Sequence, residues 1–243
     1  MSYNLKYSRY NEHSILIEWP SIIDKNVLES IINFKQQLKD KYSEQKVEVI
    51  NTYNSILIIY SFAIDNFNDE ILALKACFDT TRAVENQPKR LWTIPVCYDP
   101  DFGSDLEDYA KAKQLSISEV ITQHSSAVYT IYFIGFLPGF LYLGGLPESL
   151  ALDRKATPSL DIKKGAVAIG GQQTGIYPQD SPGGWHVIGN TPVPLFLPNE
   201  NPPSVFKAGD QLKFESISPE EYEQLSLAIK TSTYNLKSTI IDA

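Results

Sequence analysis

The chain has 243 residues and a formal net charge of −8 at pH 7, and 43% of its residues are hydrophobic while 21% are charged. This composition excludes an intrinsically disordered chain, and the length allows one large domain or two smaller ones. The acidic balance and the lack of any Lys/Arg run argue against a nucleic-acid partner, because phosphate binding needs a basic surface.

The first third of the chain predicts two consecutive strand–strand–helix units. Four segments with alternating apolar residues predict short strands: 5–11, 13–19, 46–53 and 55–64. Apolar residues at helical spacing predict helices from Asp24 to Tyr42 and from Asp69 to Val84. The order β-β-α-β-β-α predicts an α+β domain over residues 1–87, with its helices on one face of an antiparallel sheet.

The glycine distribution separates this region from the rest of the chain. All thirteen glycines lie at Gly103 or later, and twelve of them fall between residues 135 and 209. Glycine and proline supply the turn geometries that closely spaced strands need. We therefore predict a second, mainly β domain over residues 88–243, with the boundary near Glu85 to Arg90.

The second domain begins with a predicted strand over 91–98 and two short helices over 99–115 and 116–126. Ser116 and Glu119 have the spacing of a capping box for the second of these helices. Further apolar stretches separated by Gly and Pro predict a small barrel or sandwich, with strands over 128–136, 166–170, 185–189, 193–197 and 211–215. A last helix is predicted from Ser218 to Leu227.

The segment from Ala127 to Leu146 contains no charge and has the length of a membrane span. Its four glycines, one proline and three tyrosines instead favour a buried strand that leads into a tight loop. The N-terminus lacks the apolar core of a signal peptide, and two cysteines are too few for a disulfide framework. We predict a cytoplasmic protein without a membrane partner.

Several chemistries find no support in the motifs. The chain has no phosphate-binding loop of the G-x-x-x-x-G-K-[ST] type, no G-x-S-x-G elbow and no H-E-x-x-H. The three histidines are widely scattered, and the acidic run from Asp99 to Asp108 does not have the spacing of an EF-hand loop. No metal site is predicted.

Two stretches mix glycine and proline with large aromatic residues, namely residues 133–147 and 170–192. In a structural interpretation, the glycines turn tight corners and the aromatic side chains fill the barrel. In a functional interpretation, the glycines let backbone N–H groups approach a ligand while aromatic side chains form the walls of a pocket. Arg154 is the only arginine after Arg90, which makes it the candidate to bind a carboxylate or phosphate.

The combination of GFLPGF with YP-x-x-SPGGW-x-x-IG-x-TP is highly specific. Over roughly residues 94–196, the chain resembles the KipI and allophanate hydrolase subunit 1 family, which includes one subunit of bacterial ATP-hydrolysing 5-oxoprolinase. The resemblance implies a cyclophilin-like β-barrel for the second domain and a small α+β domain for the first. It also implies two partners, a related barrel subunit of the C type and a lactam-utilisation-type subunit.

For this chain, the resemblance implies a subunit that is inactive alone, in a complex that opens the lactam of 5-oxoproline to glutamate with ATP. His124 and Arg154 are the predicted catalytic residues. The predicted binding residues for the small anionic lactam are Phe136, Pro138, Gly139, Phe140, Tyr142, Gly171, Gln172, Tyr177, Gly183, Gly184, Trp185 and Asn190. ATP is expected to serve the complex, since this chain lacks a phosphate-binding loop.

The chain departs from the family pattern at two positions where arginine is usual. Ser159 and Asn190 stand there instead. Losing two guanidinium groups would weaken an anion site, and Lys155, Lys163 and Lys164 are the nearby candidates to replace their charge.

Two other functions stay open from the sequence. A KipI-type inhibitor of a sensor histidine kinase would use the same aromatic residues as a protein-binding surface. A subunit of allophanate hydrolase or urea carboxylase type is the third possibility that the family implies. The residues alone do not separate these functions.

Overall fold

The computed structural model describes residues 3–43, 47–80 and 88–241. The chain divides into two compact units, Met1–Gln87 and Pro88–Ala243.

The first unit is a four-stranded antiparallel sheet with two helices. Its strands pair in the order β1-β2-β4-β3 and are β1 (Lys6–Asn11), β2 (Ser14–Glu18), β3 (Val47–Asn51) and β4 (Ser55–Tyr60). Alternate residues of the two central strands, such as Ile15 and Ile56, are fully buried in its core. The helices are α1 (Lys25–Lys41), which follows β2, and α2 (Phe67–Asp79), which follows β4.

Local capping fixes the starts of both helices. The Asp24 side chain accepts the N–H groups of Asn26 and Val27, and the predicted first helix is confirmed. Asn66 caps α2, which begins two residues before the predicted start. The predicted end of that helix at Val84 lies outside the described residues.

The second unit confirms the predicted mainly β barrel. Its strands are β5 (Lys89–Cys97), β6 (Tyr129–Ile134), β7 (Leu141–Gly144), β8 (Ser159–Ile162), β9 (Ala166–Gly170), β10 (Gln173–Ile176), β11 (Ser181–Gly183), β12 (His186–Asn190), β13 (Gln211–Ile217) and β14 (Ser238–Ile241). Seven of them follow the order β12-β9-β10-β7-β6-β13-β5, and the pairing of Asn190 with Cys97 closes the barrel between β12 and β5. Strand β14 extends the sheet beyond β5, while β8 and β11 form a separate two-stranded ribbon.

Three α-helices and one short 3-10 helix accompany the barrel: α3 (Leu106–Lys113), α4 (Ile117–Ser126), α5 (Pro219–Lys230) and the 3-10 turn Glu148–Leu150. The predicted capping box of Ser116 and Glu119 is present at the start of α4. Ser218 makes the equivalent cap for α5 with Glu221. The sequence signals for these helix starts are therefore confirmed.

The predicted strand over 193–197 is wrong. Pro192 and Pro194 have no N–H group to donate to a sheet, and the chain runs there without regular structure. Val193 and Leu195 are nevertheless buried in the barrel core, which explains the apolar pattern.

The uncharged segment from Ala127 to Leu146 contains β6, a loop and β7, and within the described residues no helix is long and apolar enough to cross a membrane.

Candidate functional site

A small pocket in the second unit gathers residues from both glycine–aromatic stretches. Its volume is about 130 Å³, which is below the roughly 300 Å³ of a pocket for a drug-sized molecule. The lining residues are Phe136, Phe140, Tyr142, Arg154, Tyr177, Gly183, Gly184 and Trp185. All eight are among the residues predicted from the sequence.

An aromatic cluster around Phe140 forms one wall of the pocket. Phe140 packs edge-on against Tyr177 and Trp185, with ring centroids 5.3 and 5.6 Å apart. All three side chains are buried, so their positions are set by packing. The wall is therefore preformed.

Phe136 lies at the edge of the pocket in an uncommon backbone conformation. Its φ is +66°, a region that bulky residues rarely adopt, and its side chain is 68% exposed. Gly139 has a φ of +88° in the same loop, and a Cβ there would meet the Cβ of Phe196 at 2.7 Å. Strain of this kind is typical of segments that contact ligands or partners.

Among the described residues that line the pocket, Arg154 is the one with a charge. Its guanidinium carbon lies 5.8 Å from the centre of the Trp185 ring, within the range of a cation–π contact. Among residues 3–43, 47–80 and 88–241, no carboxylate lies within ion-pair distance of it. Burial raises the pKa of Tyr177 and the charge of Arg154 opposes that rise, as expected for a cation facing the pocket wall. Arg154 thus brings a positive charge to the pocket.

The two glycines of the lining have different surroundings. A Cβ on Gly183 would overlap the hydroxyl of Tyr177, so the glycine is required by close packing. A Cβ on Gly184 would meet only the Lys155 carbonyl oxygen at 3.7 Å and Arg154 Cβ at 3.8 Å, which are ordinary contacts.

The remaining predicted binding residues do not line the pocket. Pro138 and Gln172 are exposed on loops, and Gly171 pairs with Leu152 in a short bridge that supports the chain before Arg154. Asn190 is buried, where its amide donates to the carbonyl of Lys164 and its oxygen accepts from a tyrosine hydroxyl. These two hydrogen bonds of Asn190 are to groups of the protein itself, and its predicted contact with substrate stays a prediction.

His124 is completely buried and is not brought together with Arg154. Thr174 Oγ1 donates to the Ala168 carbonyl, so it accepts from His124 Nε2 at 2.9 Å, and Nδ1 accepts from the Tyr98 hydroxyl at 2.8 Å. Burial lowers the pKa of His124 from 6.5 to about 3. These contacts argue against the predicted catalytic role and support a structural one.

The lowered pKa of His124 predicts a specific loss of stability in acid. Because the folded value lies below the unfolded one, the stabilisation is complete above pH 6.5 and is lost as pH falls towards 3, by about 1.4 kcal/mol per unit. The free energy of unfolding from urea titrations should show this slope, and His124→Gln should flatten it. His13→Gln, at a half-buried position in the first unit, is the control for the loss of a histidine elsewhere in the chain. An identical slope in His124→Gln would contradict the assignment.

Two of the three lysines that could replace the missing family arginines are paired with carboxylates. Lys155 is paired with Asp105 and donates to Ser159 Oγ at 3.0 Å, and Lys163 lies 2.5 Å from Asp161. The role of Asp105 was missed from the sequence, because its partner lies fifty residues away and no local signal marks the pair.

A larger pocket of about 540 Å³ lies elsewhere in the second unit, between residues 193–205 and 229–236. The described part of its lining is mostly apolar and has one charged residue, Glu200, whose carboxylate does not suit an anion. Within the described residues, no group of three or more His, Cys, Asp or Glu side chains could hold a metal ion.

Comparison with known proteins adds independent information. Residues 5–206 match the family model of the carboxyltransferase domain, subdomains C and D. The B-type subunit of 5-oxoprolinase from Bacillus subtilis is 50% identical over 134 residues, or 55% of this chain and 56% of the relative. The B-type subunit of 5-oxoprolinase from Haemophilus influenzae is 42% identical over 182 residues, or 74% of this chain and 83% of the relative.

The match spans little more than half the length of the Bacillus relative. Among solved structures, the urea carboxylase of Kluyveromyces lactis superposes with a TM-score of 0.82 over 98% of this chain and 24% of that one. Its sequence identity is 16%, so this likeness concerns the fold alone.

Proposed function

The chain belongs to the family of carboxyltransferase domains with subdomains C and D, and from this premise we propose that it is the B-type subunit of an ATP-hydrolysing 5-oxoprolinase. The complex would open the lactam ring of 5-oxoproline to glutamate. The observation that carries this proposal is the small aromatic pocket with Arg154 at its edge and no counter-ion among the described residues. Its size suits a compact anion such as 5-oxoproline.

In this proposal, the present chain binds the lactam. Its partners carry out the ATP-dependent activation of the lactam. An unstrained amide is a poor electrophile, and phosphorylation of its oxygen would create a leaving group. The site must then hold the anionic substrate and stabilise the charge that develops, which an arginine and main-chain N–H groups can do. A pocket of about 130 Å³ is too small for a nucleotide, and the pocket of about 540 Å³ presents the carboxylate of Glu200 to any phosphate, so the ATP site would lie on other subunits of the complex.

The proposed partners are a related barrel subunit of the C type and a lactam-utilisation-type subunit. In this proposal the chain is inactive alone, works in the cytoplasm and consists of two domains, 1–87 and 88–243, of which the second has a cyclophilin-like barrel. The partner barrel would complete the open side of the pocket, next to the exposed ring of Phe136.

Reconstitution tests the proposal directly. When this chain is coexpressed with its candidate partners, we expect a stable complex that forms glutamate from 5-oxoproline only when ATP is present. The chain alone, and the partners without it, serve as controls and should be inactive. Formation of the complex without ATP-dependent glutamate would overturn the proposed activity.

A kinase-inhibitor role is favoured by one observation, the exposure of large apolar side chains such as Phe136 and Leu160. These residues suit the surface of a kinase as well as that of a partner subunit. If the chain forms no complex with the barrel subunit but lowers autophosphorylation of a purified sensor histidine kinase, this second function replaces the first.

A further inference from the structure

Lys155, the residue after Arg154, is tied to Asp105 rather than facing a ligand. Its Nζ lies 2.6 Å from both carboxylate oxygens of Asp105, and the two side chains are only 18% and 21% exposed. Ser159 Oγ accepts a further hydrogen bond from the same Nζ. A pair that is largely removed from water holds its geometry better than a surface pair.

Asp105 is itself fixed to the barrel. One of its carboxylate oxygens accepts the N–H of Val187 at 2.7 Å, and its own N–H donates to the Val187 carbonyl at 2.9 Å. Asp105 therefore connects the start of α3 to strand β12, and β12 begins directly after Trp185 in the pocket wall.

The main chain around Arg154 is held on both sides. Before it, Leu152 and Gly171 exchange two hydrogen bonds, of 3.2 and 2.7 Å. After it, the N–H of Lys155 donates to the carbonyl of Gly184 at 2.7 Å. The side chain of Arg154 extends from this held segment and lies over the Trp185 ring.

We propose that Lys155 is a positioning residue: through its ion pair with Asp105 it holds Arg154 over Trp185 at the pocket, and it does not bind the ligand itself. This inference rests on the proposed function, in which Arg154 receives the carboxylate of 5-oxoproline. Displacing a binding group by about 1 Å can weaken its action by up to a hundredfold, so loss of the pair should be felt at the pocket.

Two substitutions distinguish positioning from direct anion binding. The two roles predict opposite changes in the affinity for 5-oxoproline when Asp105 is replaced by Asn. If Lys155 were a ligand, Asp105→Asn would free its charge and tighten binding, while Lys155→Met would weaken it. If Lys155 positions Arg154, both substitutions weaken binding of 5-oxoproline by about tenfold, the low end of what loss of a charge-assisted hydrogen bond from Arg154 costs. The double variant is then no worse than either single one, because both remove the same interaction.

The measurements are the dissociation constant of 5-oxoproline and the separate kcat and KM values of the assembled complex. We expect KM to rise more than kcat falls, and Lys155→Arg to restore binding because a guanidinium can also pair with Asp105. Lys163→Met is the matched control, since it breaks an ion pair with Asp161 whose side chains are 62% and 70% exposed, and it should change nothing.

Failure of this inference is distinguishable from failure of the proposed function. If Arg154→Met leaves 5-oxoproline binding intact, the proposed anion site is wrong. If Arg154→Met weakens binding but Asp105→Asn tightens it, only the positioning role is overturned. Thermal unfolding of each variant checks that the barrel is folded, and failure of Lys155→Arg to bind better than Lys155→Met would also overturn the role.

Discussion

Replacing Gly183 with valine is expected to abolish 5-oxoproline turnover by the reconstituted complex, with a loss of at least about a hundredfold. The new Cβ would overlap the Tyr177 hydroxyl and lie 2.9 Å from Ile162 Cδ1. Tyr177 is buried against Phe140 and also lines the pocket, so a movement that relieves the overlap either displaces the pocket wall or pushes the Tyr177 ring into the pocket. A displaced wall misplaces the substrate relative to its reacting partners.

Gly184→Ala is the matched control for this substitution. A Cβ at the neighbouring glycine makes only ordinary van der Waals contacts and overlaps no atom, so this variant should lose far less kcat/KM than Gly183→Val in the same assay. Circular dichroism and urea titration of both variants would check that each one folds. Full turnover by Gly183→Val would show that the shape of this pocket does not matter for the reaction.

These two glycines also show what a sequence can and cannot reveal. The stretches of glycine and aromatic residues, the family resemblance and the single arginine after Arg90 were sufficient to predict every described residue that lines the pocket. The role of these residues in binding stays a prediction. The sequence does not distinguish Gly183 from Gly184, because the difference in the space available for a Cβ depends on the side chain of Tyr177, which is close only in the folded structure. Composition locates such a site, whereas packing across the barrel decides which residue tolerates change.

The predicted fold succeeded where the signals are local. Helix starts at Asp24, Ser116 and Ser218 could be predicted because a capping side chain lies within three residues of the N–H groups that it accepts. The apolar run at 193–197 was misleading because burial in the core does not require a strand, and its prolines prevent one.

Predictions that depend on distant partners were the weakest. His124 was expected at the active site, but its partners Tyr98 and Thr174 lie 26 and 50 residues away and bury it in the barrel. The same limit hid Asp105, whose ion pair with Lys155 also joins residues that are fifty positions apart. The sequence alone does not show which polar side chains form hydrogen bonds or ion pairs in the folded structure.

Arg154→Met should weaken binding of 5-oxoproline by roughly ten- to a hundredfold, because a charge-assisted hydrogen bond contributes about 1.5 to 3 kcal/mol. Methionine retains an unbranched side chain able to cover Trp185, so the pocket wall should persist. Arg154→Lys keeps the positive charge but loses the planar fork, and we expect its affinity to lie between those of the native chain and Arg154→Met. The dissociation constant in the assembled complex is the measurement.

Arg90→Met is a control in which the same substitution removes a similar arginine–tryptophan contact outside the pocket. The Arg90 guanidinium lies over the Trp92 ring at the same 5.8 Å as Arg154 lies over Trp185, and Arg90 does not line the pocket. Removing it deletes an equivalent cation–π contact and one positive charge from the same unit. If Arg90→Met weakens binding as much as Arg154→Met, the effect comes from net charge or barrel stability and Arg154 is not the anion receptor. If only Arg154→Met weakens binding, the receptor for the carboxylate lies at the pocket.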